Sequence, residues 1–177
     1  MMKTIRIFHL IEEEMEYFGG PENFFCKHLP TEFKRIINIK LQTKGMTDTM
    51  KNAFKSGKLP QPYFPKMIDP GSKIYFHYTG NLMAYAEVEE TIINYPNGNR
   101  RNFRLKSKEQ YSTYPFSFKI KEGTFSCWNH EELPWEKWIW VINESGRKPK
   151  NNSYTKLNDV EDSKIMDLIP KHKICHW

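Results

Sequence analysis

Trp128, Trp135, Trp138 and Trp140 fall within thirteen residues of one another. An indole face stacks on a flat base, worth about 1–3 kcal/mol per base. A cage of rings can also select a methylated cation by cation–π attraction. Trp128, Trp135 and Trp138 are therefore candidates to line a base-binding pocket, with core packing as the competing role for each. A second group is basic. Arg100, Arg101, Arg104, Lys106 and Lys108 lie within nine residues that hold no acid. Such a run is a candidate phosphate-contacting surface, and a solvated loop with incidental charge is the plain alternative. Cys127 lies three residues from His130, a spacing at which a thiol and a base can meet, although a lone Cys among aromatics more often fills core. His172, Cys175 and His176 are metal-type donors, but a closed structural zinc site needs four. No metal ion or other cofactor is expected. Glu12, Glu13, Glu14 and Glu16 read as a solvated acidic face. The chain contains no phosphate-cradling glycine loop, no nucleophile elbow and no paired-cysteine zinc pattern.

The elements that would position these groups are mostly strands. Residues 3–11 and 35–41 are apolar runs that predict two strands, separated by a stop at Gly19, Gly20 and Pro21. Residues 47–57 predict a helix. Thr47 or Asp48 caps it, Met50, Ala53 and Phe54 form its stripe, and Gly57 ends it. Pro60, Pro62, Pro65 and Pro70 make the next stretch an extended connector. Residues 73–78 and 82–93 predict a hairpin turned by Thr79, Gly80 and Asn81. In its second strand, Leu82, Ala84, Ala86 and Val88 share one face by the period of two. Met83, Tyr85, Glu87 and Glu89 share the other. The small alanines imply that something packs closely there. Further strands are expected at 103–105, 114–120, 124–128 and 138–142, and Trp138 and Trp140 would face the same side of the last. Asn129 and Glu132 resemble a capping box. Residues 144–153 read as a loop. Asn158 caps a final helix with Ile165, Leu168 and Ile169 inward and Pro170 at its end, and the terminus beyond it is expected to fray. About seven strands with two or three helices, without strand–helix alternation, predict an α+β domain. Its sheet would be curved, mixed or antiparallel, or a small barrel.

The bulk numbers agree with a folded chain. The 177 residues suffice for one domain, 1–177, with a sizeable core. An aromatic fraction of 15% argues against disorder. No apolar run reaches the roughly 18 residues of a membrane span, and the first residues do not read as a signal peptide. Three widely spaced cysteines argue against a disulfide framework and for a reducing, cytoplasmic setting. A net charge of +6 favours polyanionic partners.

The stretch over residues 71–88 (Gly-Ser-Lys-Ile-Tyr-Phe-His-Tyr-Thr-Gly-Asn-Leu-Met-Ala-Tyr-Ala-Glu-Val) resembles the central hairpin of the PUA-like superfamily, especially its EVE and YTH domains. The first strand, ending Phe8-His9-Leu10-Ile11, and the helix ahead of the hairpin are similar in order. The resemblance implies a pseudo-barrel sheet with peripheral helices. It also implies binding of RNA, or of DNA with a modified base flipped into a pocket bordered by the first hairpin strand. On that reading His77, Tyr78 and Asn81 join Trp128, Trp135 and Trp138 as base-binding residues. EVE and YTH domains place a tryptophan-bearing segment before the hairpin, and residues 36–54 have no Trp. A cage here would have to come from Tyr63, Phe64, Tyr78 or a C-terminal Trp. Two other functions stand beside this one. The first is a small nucleoside- or nucleotide-modifying enzyme of the ASCH type, for which no Lys, Thr and Glu set transfers. The second is a protein-interaction domain with an aromatic patch. A carboxylate and a lysine within hydrogen-bond reach in a pocket would favour the enzyme.

Overall fold

The computed structural model describes residues 5–9, 12–39, 52, 56, 69–93, 116–144 and 154–177. Strand β1 (Ile5–His9) leads into a short helix α1 (Glu12–Tyr17), a single turn α2 (Pro21–Asn23) and a π-helix (Phe24–His28). Strands β2 (Ile36–Ile39), β3 (Lys73–Tyr78), β4 (Asn81–Ile93), β5 (Phe116–Ile120) and β6 (Ser126–Cys127) follow. Helix α3 (Trp135–Glu144), strand β7 (Tyr154–Leu157), helix α4 (Asp159–Leu168) and strand β8 (Cys175–His176) complete the order. The sheet path is β2-β5-β4-β3-β1-β7, with β6 on β4 and β8 on β6. Pairing is antiparallel throughout except for β1 with β3. The protein is thus α+β with a mixed sheet, and among the described residues that sheet is not closed into a barrel.

The hairpin forms as its sequence dictates. Thr79 (φ 50°) and Gly80 (φ 89°) both take positive φ. A two-residue turn needs this to match strand twist, and glycine supplies it without strain. Ala84 and Ala86 are buried. Their small side chains leave room for a ring cluster in which Phe25 lies 5.1 Å from both Phe76 and Phe125.

The face assignment within β4 needs correcting. The register shifts between Phe76 and His77, so that Phe76 pairs with Ala84 but His77 with Leu82. The extra residue is a bulge, and a one-residue slip exchanges faces. Met83 therefore packs with Ala84, Ala86 and Val88, while Leu82 packs with Tyr75 and Tyr85 on the other side. Both faces of the sheet are buried. One carries α1 and the π-helix through Met15, Phe24 and Phe25, the other α3 and α4 through Trp138, Val141, Ile142 and Ile165.

Residues 138–142 are helix, not strand. Trp135, Trp138 and Ile142 recur at helical spacing, and burying that stripe outweighs the two-residue echo of Trp138 and Trp140. The two rings consequently diverge: Trp138 is 2% exposed and Trp140 39%. Asn129 makes a turn, accepting from the Glu131 N–H at 2.9 Å, and the helix begins only after Pro134. Asn158 and Glu161 do form a reciprocal capping box at α4. The C-terminus is fixed where fraying was expected. Trp177 exchanges backbone hydrogen bonds with Phe125 and stacks on its ring at 4.4 Å. Cys26 and Cys175 form a disulfide, which the odd cysteine count had argued against. The strand expected at 103–105 lies outside the described residues. So does the 47–57 helix, apart from Asn52 and Ser56, whose backbone bond at 3.0 Å is a helical one.

Candidate functional site

Sheet register builds one row of polar side chains. Tyr75 pairs with Tyr85, Tyr85 with Ser126, and Ser126 with His176, across β3, β4, β6 and β8. Directly paired residues share a face, as do residues two apart on a strand. Lys73, Glu87 and Thr124 therefore stand on the same face, one step along, with Lys73 opposite Glu87.

On this face lies an open cavity of about 330 Å³ lined by Lys73, Tyr85, Glu87, Gly123, Thr124 and His176. Its walls are held by bonds of three kinds. The Thr124 hydroxyl donates to the Lys121 carbonyl at 2.6 Å and accepts from the Glu87 N–H at 3.1 Å. His176 Nδ1 bonds Ser126 Oγ at 2.8 Å, which seats the exposed imidazole at the rim. Lys73 Nζ donates to Asp162 of α4 at 3.0 Å, and the Tyr75 hydroxyl donates to the same carboxylate. The Lys73 ammonium lies 5.0 Å from the Tyr75 ring centre and 5.4 Å from that of Tyr85. Burial, then the Asp162 bond and charge, push the Tyr75 phenol upward, so it remains a neutral donor. Behind the row, Tyr85 lies 6.1 Å from Trp128, and the Lys173 ammonium lies 5.1 Å from the Trp128 ring centre. Burial lowers the Lys173 pKa. The cavity thus presents one ring, one carboxylate, an ammonium and an imidazole, a set suited to a small, flat, polar ligand.

The residues singled out from sequence are placed elsewhere. Trp128 is fully buried, its Nε1 donating to the Leu82 carbonyl at 2.8 Å. Trp138 is buried too, donating to the Gly80 carbonyl at 2.8 Å. Trp135 is half-buried against Gly80 and edge-on to Trp138 at 4.9 Å. His77 lies beside Trp138 at 6.2 Å, while Tyr78, the next residue, lies edge-on to His130 at 5.7 Å and packs against the opposite cluster. His77 and Tyr78 therefore do not converge. Burial first, then the negative charges of Glu12, Glu16 and Glu22, raise the Tyr78 pKa. That acidic surrounding repels phosphate. Asn81 opens β4 opposite Tyr78. His130 is engaged by Glu22, through both its backbone N–H at 2.9 Å and its ring, rather than by Cys127. Burial pushes the Cys127 thiol far up, the opposite of an activated nucleophile. Arg100, Arg101, Arg104, Lys106 and Lys108, with Tyr63 and Phe64, lie outside the described residues. Of the cavity residues, sequence reasoning singled out only His176, and that as a metal-type donor. Tyr85 and Glu87 share a face by the period of two, which the sequence shows as a strand face alone.

No family model matches the sequence, and no curated protein matches it. Among solved structures the chain is similar to the Mmi1 YTH domain, at 14% identity and a TM-score of 0.40, over 93% of this chain and 75% of that one.

Proposed function

We propose that this chain is a nucleic-acid-binding module of the PUA-like type, its strands the greater part of a pseudo-barrel, that receives an unpaired or modified base of RNA or DNA. The observation that carries the reading is the polar cavity on β3, β4, β6 and β8, with the Tyr85 ring at its wall. A base slides onto that ring, its amino edge donating to Glu87 and its acceptors facing His176 and Lys73. The net charge of +6 and the run from Arg100 to Lys108 supply phosphate contacts. In this reading His77, Asn81 and Trp135, at the hairpin tip, touch the strand leaving the cavity, and Trp128 supports the Tyr85 ring from behind. A single domain working in a reducing, cytoplasmic setting is part of this proposal.

The test is fluorescence anisotropy with labelled single-stranded RNA and DNA, each with and without base modifications. Tyr85→Ala should weaken the preferred oligonucleotide by about 1–3 kcal/mol while the variant stays folded. Unchanged affinity would remove the cavity from the binding site. One observation favours a second reading. Lys73 lies within hydrogen-bond reach of a carboxylate, Asp162 at 3.0 Å, beside Glu87. This is the pairing expected of a nucleotide-modifying enzyme. Turnover of nucleosides or nucleotides, abolished by Lys73→Met, would establish that reading instead. The aromatic patch of an interaction domain has less support, since Trp128 and Trp138 are buried, Trp135 is half-buried and of these four tryptophans only Trp140 is exposed.

A further inference from the structure

The sheet face opposite the cavity gathers all three cysteines of the chain. Cys127 of β6 and Cys175 of β8 are paired in register, which puts their side chains on one face as near neighbours. Cys26 reaches the same point from the π-helix. The three sulfur atoms lie within 4.8 Å of one another, Cys127 buried and the other two half-buried. Among the described residues no histidine or carboxylate joins them. His176 follows Cys175 on the strand and so points to the other face, where Ser126 holds it at 2.8 Å.

A disulfide uses only two of these sulfurs, and hydrogen bonds also hold the frame around it. Trp177 Nε1 donates to the Phe25 carbonyl at 3.1 Å, joining the residue before Cys26 to the residue two past Cys175. The Ile174 N–H donates to the Cys127 carbonyl at 2.7 Å. Breaking the Cys26–Cys175 bond therefore leaves three thiols held close together, with the half-buried pair giving access from the surface. Three thiolates at a metal–sulfur distance of about 2.3 Å need sulfurs about 4 Å apart. Cys127 already lies within 4.8 Å of the other two, and the Cys26 and Cys175 sulfurs, bonded to each other in the disulfide, part once it is reduced. Thiolates select soft ions such as Cu⁺ and Zn²⁺.

We propose that Cys26, Cys127 and Cys175 form a three-thiolate site for a soft metal ion of the Cu⁺/Zn²⁺ class, available when the disulfide is reduced. A dithiol reductant gives two electrons and two protons to the Cys26–Cys175 bond and is itself oxidised to a disulfide. The ion then displaces thiol protons to solvent as metal–sulfur bonds form. Oxidation closes the site, because two of its donors are then bonded to each other. In a reducing compartment the metal-binding form is the standing one.

The test uses the full chain, reduced with a dithiol, freed of it without oxygen, and titrated separately with Zn²⁺ and with Cu⁺ against chromophoric competitors. The reduced protein should take up one ion per chain in at least one arm, which identifies the ion, and the oxidised protein none. Cys127→Ala keeps both disulfide partners. It should still oxidise to the Cys26–Cys175 disulfide yet bind the ion at least ~100-fold more weakly, since even supporting residues cost about 10–100-fold. Cys175→Ser, at a more accessible position, should lose binding likewise and covers the case in which Cys127→Ala does not fold. No uptake in either arm, uptake by the oxidised protein, or full affinity in a folded Cys127→Ala or Cys175→Ser would overturn the proposal.

Discussion

Asp162→Ala probes the junction on which the cavity depends. Asp162 accepts hydrogen bonds from Lys73 and Tyr75, so its carboxylate ties α4 to β3 at the cavity edge. The two donors respond differently to its loss. Tyr75 is fully buried, so its hydroxyl is left without a partner, at about 1–3 kcal/mol. The Lys73 side chain is 23% exposed and can turn to water, losing an ion pair worth about 0–1 kcal/mol. The expected destabilisation is about 2 kcal/mol, read from urea unfolding followed by tryptophan fluorescence. Tyr75→Phe removes the same hydroxyl–carboxylate bond, so the double variant should fall short of the summed singles by about 1 kcal/mol. The bond also sets an alkaline limit. The Tyr75 phenol is held neutral above the unfolded value of about 10. Its contribution is complete below that pH and is lost as the unfolded phenol ionises above it. Tyr75→Phe should flatten this decline. A loss under 0.5 kcal/mol in Asp162→Ala, or strict additivity with Tyr75→Phe, would refute the junction as described.

Three further outcomes follow from particular residues. Gly80→Ala forces a side chain onto φ +89° and should cost about 1–2 kcal/mol, visible as a lower melting temperature. An unchanged melt would mean that the turn is not under this constraint. At Glu22, burial raises the carboxyl but hydrogen bonds from the His130 backbone and ring outweigh it, leaving the net value lowered. Its stabilisation is therefore present above the unfolded value of about 4.3 and fades as pH falls through the native one. Glu22→Gln should flatten the acid limb of a pH-unfolding curve, and an identical limb would count against the interaction. Replacing Arg100, Arg101 and Arg104 with Gln should weaken oligonucleotide binding for all sequences and reduce the salt slope by roughly one for each phosphate no longer neutralised. An unaltered slope would make the run ordinary surface.

The strands that sequence reasoning located are those whose own residues carry the whole signal. The hairpin is written locally, with a turn that needs positive φ between two runs of alternating burial. The cap of α4 is local too, since Asn158 and Glu161 satisfy each other's backbone. What misled was any pattern whose meaning depends on a distant partner. Trp138 and Trp140 repeat at two, yet the buried stripe of α3 repeats at three and four, and only the presence of the β1, β3 and β7 face decides between them. The bulge at Met83 is likewise invisible in β4 alone. It is the difference between two strand lengths, and it moves Leu82 from one core to the other.

The cavity was hidden for the same reason in stronger form. Lys73 and Glu87 stand close in sequence, but Thr124 and His176 reach them only because β6 pairs with β4 and β8 with β6. Those two strands are two residues long each, too short for any periodicity to announce. Strands this short do not hold themselves. Trp177 stacking on Phe125, the Phe25 carbonyl accepting from the indole and the cysteine cluster fix β8, and β8 in turn carries His176 to the opposite face. The cavity on one side of β6 and β8 and the three sulfurs on the other are thus two faces of the same pair of strands. A change that loosens the sulfur face should therefore be felt at His176, through the backbone of a strand too short to absorb it.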